Sequence, residues 1–263
     1  MILLLGGTSE TAFFAQALAE KGYHVCVSTT TKVPLDIGRH PFIERSQERL
    51  DESAMKTLII KKGITAILDA THPYAAEIKK LARCIAKELD LPYFQYLRPS
   101  ALSDQDKVCF APDHDSAALL ACSYQKPILL TIGAKFVAAY AVQANKIAVP
   151  LVARVLDSTE SIQACLSAGI ESNRIIAGRG PFSTEDNIHH IRQFSIGVVV
   201  TKDGGNEGGF REKIKAAQSE NCTVIVVERP LSENPHFFNS KESLIRMLTS
   251  QLHPKASLAP GTF

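Results

Sequence analysis

The sequence predicts an α/β protein built from two doubly wound parallel sheets, and three observations predict it. Short apolar runs alternate with helical periods along nearly the whole chain. Glycines stand directly after several of those runs, where a strand would hand over to a helix. And at 263 residues the chain exceeds the roughly 150 residues of one typical domain, which leaves room for two.

In the first half the apolar runs are Ile2–Leu5, His24–Ser28, Ala66–Asp69 and Tyr93–Tyr96, each too short for a helix. Between them Ala54, Met55, Leu58 and Ile59 share one helical face, as do Ile78, Leu81, Ala82 and Ile85. Lys21-Gly22 and Lys62-Gly63 supply the basic last turn and the glycine that stop a helix. The second series of runs is Ile128–Thr131, Ile147–Val152, Ile175–Ala177, Ile196–Val200 and Thr223–Val227. Capping boxes are expected at Asp157 with Glu160 and at Ser183 with Asp186. A short edge strand near Val108–Phe110 and a helix after Asp113 stand between the two series. Strand–helix alternation of this kind argues for parallel strands with right-handed crossovers. The polar, proline-broken stretch Arg98-Pro99-Ser100 marks the crossing, so the expected domains are 1–99 and 100–263. The tail from Leu252 has no period and is expected to fray.

Composition narrows the function classes. The chain is 45% hydrophobic and 21% charged, which excludes disorder, and its 29 basic against 27 acidic residues give a net charge of +2. Such a balance carries no nucleic-acid footprint. Six scattered cysteines (Cys26, Cys84, Cys109, Cys122, Cys165, Cys222) form no C-x-x-C pair and no zinc spacing. No metal site and no membrane span are expected, since no apolar run approaches the roughly 18 residues a span needs. Reduced thiols and the absence of a signal-peptide pattern point to the cytoplasm.

The residues that could carry chemistry sit at strand ends. Gly6-Gly7-Thr8-Ser9 follows the first strand and opens a helix, where backbone N–H groups and the helix dipole favour a phosphate. The other reading is a bare βα turn with Ser9 as helix cap. After the second strand comes Thr30-Thr31-Lys32, hydroxyls and a base where an NAD site usually has an acid. That favours NADPH, with NADH the second candidate, against the alternative of a solvated loop. Asp69-Ala70-Thr71-His72-Pro73-Tyr74 places Thr71 to face a nicotinamide and His72 to donate a proton or bind a carboxylate, unless His72 only orders its loop. In the second half Gly133/Lys135, Arg154, Gly178-Arg179-Gly180 and Lys202-Asp203-Gly204-Gly205 bring bases to strand ends, and Gly208-Gly209 with Arg211 and Lys213 add to that rim. Together they suit a polyanionic ligand. His189 and His190 are expected to face solvent, mid-helix and without partners.

These pieces have a familiar order. The sequence resembles the precorrin-6A reductase family of cobalamin biosynthesis, including the cobalt-precorrin-6A reductases. The resemblance runs through Leu4-Leu5-Gly6-Gly7-Thr8 with Glu10 and Asp69-Ala70-Thr71-His72-Pro73-Tyr74-Ala75-Ala76. It continues through Arg98-Pro99, Gly133-Ala134-Lys135, Ala153-Arg154-Val155, Arg179-Gly180-Pro181-Phe182, Val200-Thr201-Lys202-Asp203-Gly204-Gly205 and Glu228-Arg229-Pro230. It differs where Thr30-Thr31-Lys32 replaces a small glycine-containing basic loop, and where Asp203 replaces a common serine or asparagine.

The resemblance implies two Rossmann-like domains with a cleft between them and a nicotinamide cofactor held at Gly6, Gly7, Thr8, Ser9, Thr30, Thr31, Lys32 and Thr71. It also implies a polycarboxylate tetrapyrrole met by Lys135, Arg154, Arg179, Gly180, Lys202, Asp203 and Gly204. A hydride would pass to one carbon of a macrocycle double bond and a proton to its neighbour, with His72 and Lys202 as candidate donors. Neighbouring enzymes of the pathway are candidate partners. Two rival readings are another two-domain NAD(P)-dependent oxidoreductase and a non-catalytic dinucleotide sensor. The short-chain reductase pair of tyrosine and lysine is absent at Tyr74.

Overall fold

A computed structural model describes residues 1–29, 35–230, 234 and 236–253. The chain divides into two compact units, one of Met1–Arg98 with Pro230–Phe263 and one of Pro99–Arg229.

The first unit holds a sheet in the order β12-β5-β4-β1-β2-β3. Its strands are β1 (Ile2–Leu5), β2 (Val25–Ser28), β3 (Ile43–Ser46), β4 (Ala66–Asp69), β5 (Tyr93–Tyr96) and β12 (Phe237–Phe238), all parallel. Counted within the unit this is the order 3-2-1-4-5-6 of a dinucleotide-binding sheet, with the reversal between β1 and β4. The four-residue runs at β1, β4 and β5 lie where the periodicity predicts. β3 was not legible, because Ile-Glu-Arg-Ser carries no apolar pattern and its residues are only half-buried.

Period-two alternation splits the core between the two faces of this sheet. Ile2, Leu4, Val25, Val27 and Leu68 pack with Phe14 and Leu18 of α1 (Thr11–Ala19) and with Leu244 and Leu248 of α9 (Lys241–Gln251). Leu3, Leu5, Cys26 and Ile67 pack with Met55, Leu58 and Ile59 of α2 (Glu52–Lys62) and with Ala82 and Ile85 of α3 (Ala76–Glu88). Each such leucine or isoleucine contributes about 1.5–3 kcal/mol on burial. α2 starts where Asp51 accepts from the Ala54 amide and stops at Gly63, whose φ of 59° is left-handed.

The expected second domain of 100–263 is corrected here. Residues from Pro230 onward return to the first unit, where β12 pairs with β5 (Phe237 opposite Gln95) and α9 buries Leu244, Ile245 and Leu248. The apolar stripe of α9 covers a face that α1 alone leaves uncovered. Leu252 is correspondingly held, packing on that core while its carbonyl accepts from the Tyr23 hydroxyl. The remainder of the expected frayed tail, from Pro254, lies outside the described residues.

The second unit holds the sheet β6-β11-β10-β7-β8-β9. Its strands are β6 (Cys109–Ala111), β7 (Ile128–Leu130), β8 (Leu151–Val155), β9 (Ile175–Ala177), β10 (Val198–Lys202) and β11 (Thr223–Val227), again all parallel. The sixth position is filled by β6, the first strand of the unit in sequence. On one face Leu129, Val152, Val199, Val224 and Val226 pack with Ile191 of α7 (Thr184–Gln193) and with Phe210 and Ile214 of α8 (Phe210–Ser219). The other helices of the unit are α4 (His114–Ser123), α5 (Val137–Lys146) and α6 (Thr159–Ser167).

Two strands start later than the apolar runs suggest. Ile147 to Pro150 close α5, with Ala148 at φ 55° and the Val149 amide bonded back to Ala144, so β8 begins at Leu151. Ile196 likewise bonds back to Ile191, and β10 runs from Val198 through Lys202. The expected box at Asp157 is replaced by Ser158, whose hydroxyl accepts from the Ser161 amide. The box at Ser183 and Asp186 is present with both of its bonds.

Candidate functional site

In the first unit the loops after β1 and β4 lie on either side of the strand-order reversal. The Gly6 amide continues the strand ladder to Ser28 (2.9 Å). A Cβ on Gly6 would sit 2.6 Å from Thr11 Cγ2, so the close approach of these two residues demands glycine. Thr11 Oγ1 in turn accepts from the Gly7 and Thr8 amides (3.1 and 3.2 Å). Gly7, at φ 107°, has open space where a Cβ would stand. The Thr8 hydroxyl, expected to meet a phosphate, donates instead to the Ala70 carbonyl (2.9 Å) and ties the two loops together. Ser9 does not cap α1. Its hydroxyl accepts from Arg98 Nη2 (2.9 Å) and donates to Glu10 (3.2 Å).

Glu10 and Arg98, which belong to the ordered motifs without a role of their own, meet beside this turn. They form a forked pair, Arg98 Nε to Oε1 and Nη2 to Oε2, at 1% and 6% exposure. Burial raises the Glu10 carboxyl, but the hydrogen bonds and charge of Arg98 outweigh it and hold the pKa below its usual value.

Asp69, at the end of β4, is fully buried and gathers its neighbours. It accepts from the Thr71 amide and hydroxyl (2.9 and 2.6 Å), from Lys79 Nζ (3.2 Å) and from the Tyr93 hydroxyl (2.7 Å). Burial and then the Asp69 charge push the Tyr93 hydroxyl well above its usual range. Thr71, expected to face a nicotinamide, therefore turns its hydroxyl inward. His72 is half-buried, and its Nδ1 accepts the Tyr74 amide (3.3 Å), which places the proton of the neutral ring on Nε2. Thr30, Thr31 and Lys32 lie outside the described residues. Beside the β2 end that precedes them, Arg45 of β3 donates from Nε to Thr29 Oγ1 (3.0 Å), a base at this edge that periodicity did not single out. A cleft of about 520 Å³ runs along β3 and α2, lined by Arg45, Lys61 and Lys62 with Glu44 and Glu48.

In the second unit the expected residues separate into four environments. Lys202 ends β10 and Lys135 follows β7, on either side of that sheet's own reversal. Their ammonium groups stand 5.2 and 5.6 Å from the centroid of the Phe136 ring. His114, missed in the sequence, stacks on the same ring at 3.8 Å and meets the hydroxyl of the fully buried Tyr140 at 3.0 Å. Burial, then the Lys135 charge, push Lys202 down to about 8. Burial, then Lys202, push His114 down to about 4.

Asp203 faces the protein rather than a ligand. It accepts from the Ser100 hydroxyl (2.7 Å) and from the Ala101 and Gly205 amides (3.2 and 3.0 Å), and it pairs with Arg229 Nη2 (2.9 Å). Arg229 also donates to the carbonyls of Asp203 and Pro99, so the brace joins both ends of the unit. Gly204 is buried in the same turn, its amide bonded to the Lys202 carbonyl (2.9 Å). Arg179 and Gly180 are exposed in the loop after β9.

Arg154 is 5% exposed on β8, with its guanidinium 4.2 Å over the Phe182 ring. Its Nη1 donates to Asn187 (2.9 Å) and stands 3.4 Å from His190 Nδ1. His190, expected in solvent, is therefore half-buried against an arginine, because α7 turns that face onto β8; His189 is exposed.

The comparisons with known proteins agree with this frame. Residues 1–249 match the family model described as Precorrin-6x reductase CbiJ/CobK. A cobalt-precorrin-6A reductase of Priestia megaterium is 30% identical over 253 residues, 95% of this chain and 99% of that protein. One from Methanocaldococcus jannaschii is 30% identical over 250 residues, 95% and 98% of the two chains. A precorrin-6A reductase of Mycobacterium tuberculosis is 27% identical over 234 residues, 88% and 89% of the two. Among solved structures, a precorrin-6A reductase, CobK, superposes with a TM-score of 0.77 at 22% identity, covering 95% of this chain and 96% of that one, which shows a shared fold. Among the described residues no helix is long and apolar enough to cross a membrane.

Proposed function

Since the chain belongs to the precorrin-6x reductase family (CbiJ/CobK), we propose that it reduces precorrin-6A or cobalt-precorrin-6A to the corresponding 6B compound in corrin-ring synthesis, at the expense of a nicotinamide cofactor. The observation that carries the cofactor half of this reading is the sheet order 3-2-1-4-5-6 with Gly6-Gly7 at the C-terminal end of its first strand.

The residues present fit such a cofactor. Gly7 leaves its backbone approachable, and the turn precedes the N-terminus of α1, where a diphosphate is favoured. With the side chains of Thr8, Ser9 and Thr71 and the amides of Gly6, Gly7 and Thr8 all engaged by the protein, these groups hold the shape of the turn, and the N-terminal end of α1 is what favours the anion. NADPH is the proposed form, supported by Lys32 and by Arg45 at the β2–β3 edge; NADH is the alternative that the assay separates. The cofactor, when bound, supplies the hydride for one carbon of the macrocycle double bond, and the neighbouring carbon takes a proton.

The chain's own contribution is orientation and charge. Lys135, Arg154, Arg179 and Lys202 offer cations to the acetate and propionate groups of the tetrapyrrole. His72, carrying its proton at Nε2, and Lys202, with a pKa near 8, are the proposed proton sources. The unpaired cysteines suit a reducing cytoplasm, where the reaction is placed.

The test is anaerobic dinucleotide oxidation by the purified protein with precorrin-6A and with cobalt-precorrin-6A, NADPH and NADH tried separately. Oxidation with one pair supports the reading and names branch and cofactor. Cofactor binding without turnover on either tetrapyrrole overturns it in favour of a dinucleotide sensor.

A further inference from the structure

We infer that Arg154 and Lys213 form a buried receptor for one peripheral carboxylate of the substrate, an assignment that rests on the reductase reading above. The first observation is an orphaned donor. Arg154 spends Nη1 on Asn187 and its face on Phe182, yet Nη2 is buried with no hydrogen-bond partner among the described residues. A charged donor left so is costly, and the cost is recovered when an anion arrives.

The second observation is a like charge in the same place. Lys213 of α8 is only partly exposed, and its ammonium donates to the Gly208 carbonyl (3.0 Å). The loop carrying that carbonyl is seated on the Pro181-Phe182 segment, since a Cβ on Gly209 would lie 3.2 Å from Pro181 Cβ and 3.7 Å from the Phe182 carbonyl. The Phe182 segment thus carries Arg154 on its ring and lies against the loop whose carbonyl holds Lys213. Burial and then the charge of Arg154 push Lys213 down to about 8.

No carboxylate of the described residues lies within ion-pair distance of either cation. Asp186 is held in its capping box with Ser183, and Glu212 keeps its Oε2 buried without a partner. Asp186 and Glu212 therefore act on Arg154 and Lys213 through charge alone, and neither cation has a carboxylate in contact among the described residues. A planar guanidinium edge beside an ammonium suits a carboxylate, which accepts along both oxygens. An acetate or propionate arm of the tetrapyrrole has that chemistry, and so does free phosphate.

The experiment uses the full chain and two readouts. In calorimetric titrations at pH 7, inorganic phosphate and glutarate serve as probes for wild type, R154M, R154K and K213M. The expected result is one site that both R154M and K213M weaken by roughly tenfold or more, with R154K intermediate because it keeps the charge and loses the fork. In steady-state reduction the same variants should raise KM for the tetrapyrrole by roughly tenfold while kcat and cofactor affinity stay within about threefold. If wild type binds neither probe, or the variants bind as wild type does, the receptor is overturned. Loss of probe binding with an unchanged KM overturns the substrate assignment and leaves a phosphate site. Should R154M fail to fold by circular dichroism, R154K and K213M carry the test. Absence of turnover in wild type overturns the reductase reading separately, and the probe titration still decides whether the anion receptor exists.

Discussion

Arg98 places two of its donors on the two oxygens of Glu10, and both side chains are sealed from solvent. The pair stands at the start of α1 and at the last residue before the chain leaves the first unit. Removing one partner leaves the other charged and buried, so E10Q and R98M should each cost about 3–5 kcal/mol in urea unfolding. The double variant E10M/R98M should recover a large part of that loss. Because the Glu10 carboxyl is held below its usual value, the contribution is present above about pH 4.5 and is lost as acid protonates it. Equal acid sensitivity in wild type and E10M/R98M would contradict this.

The contact between Gly6 and Thr11 makes a second prediction. G6A forces a methyl group against Thr11 Cγ2, at a cost of about 1–3 kcal/mol, and displaces the amides that Thr11 Oγ1 holds. Dinucleotide affinity, read by fluorescence titration, should fall by at least roughly tenfold. G6A/T11S, which removes Cγ2 and keeps the hydroxyl, should regain part of both losses.

Asp203 should behave as a brace. D203A removes the acceptor for Ser100, Ala101, Gly205 and Arg229 together and should lower stability by about 3 kcal/mol or more. Dinucleotide affinity should be unchanged. Unaltered stability combined with a raised KM for the tetrapyrrole would return Asp203 to the ligand-binding residues.

His114 and Lys202 give pH dependences of the same sign, because burial lowers both. His114 titrates near 4 when folded against about 6.5 unfolded. Between those values the unfolded chain holds the extra proton, so stability falls as pH drops from 6.5 to 4, by on the order of 3 kcal/mol. H114F should flatten that slope. Lys202 titrates near 8 when folded against 10.5. Stability should therefore rise with pH from 8 to 10.5, and K202M should remove the rise and be more stable than wild type at pH 7. Any anion affinity that depends on Lys202 should fall as pH passes 8.

Much of this molecule was legible in its sequence. The runs at Ile2–Leu5, Ala66–Asp69, Tyr93–Tyr96 and Thr223–Val227 are strands with those bounds, because a strand largely buried on both faces is a short, continuous apolar run, and the edge strand Ile175–Ala177 keeps its bounds as well. The capping box at Ser183 and the stop at Gly63 are local chemistry, complete within one turn of chain. The site was legible in its residue types more than in their roles. Thr8, Thr71 and Asp203 look like ligand contacts when read singly, and each proves to be satisfied by a partner distant in sequence or folded back upon it: Ala70, Asp69 and Arg229.

What the sequence determined by itself is therefore the alternation of strand and helix, the glycine at each critical turn and the family to which the order of motifs points. Those signals are local, set by backbone conformation and by which face of an element is apolar. Tertiary structure alone decided that the chain after Pro230 completes the first sheet and that β6 occupies the sixth position in the second. It also decided that Glu10 meets Arg98, and that Arg154 lies over Phe182 with Nη2 buried and without a partner among the described residues. Strand neighbours and buried charge pairs are chosen by the burial and hydrogen bonding of the whole unit, over separations that no local period encodes.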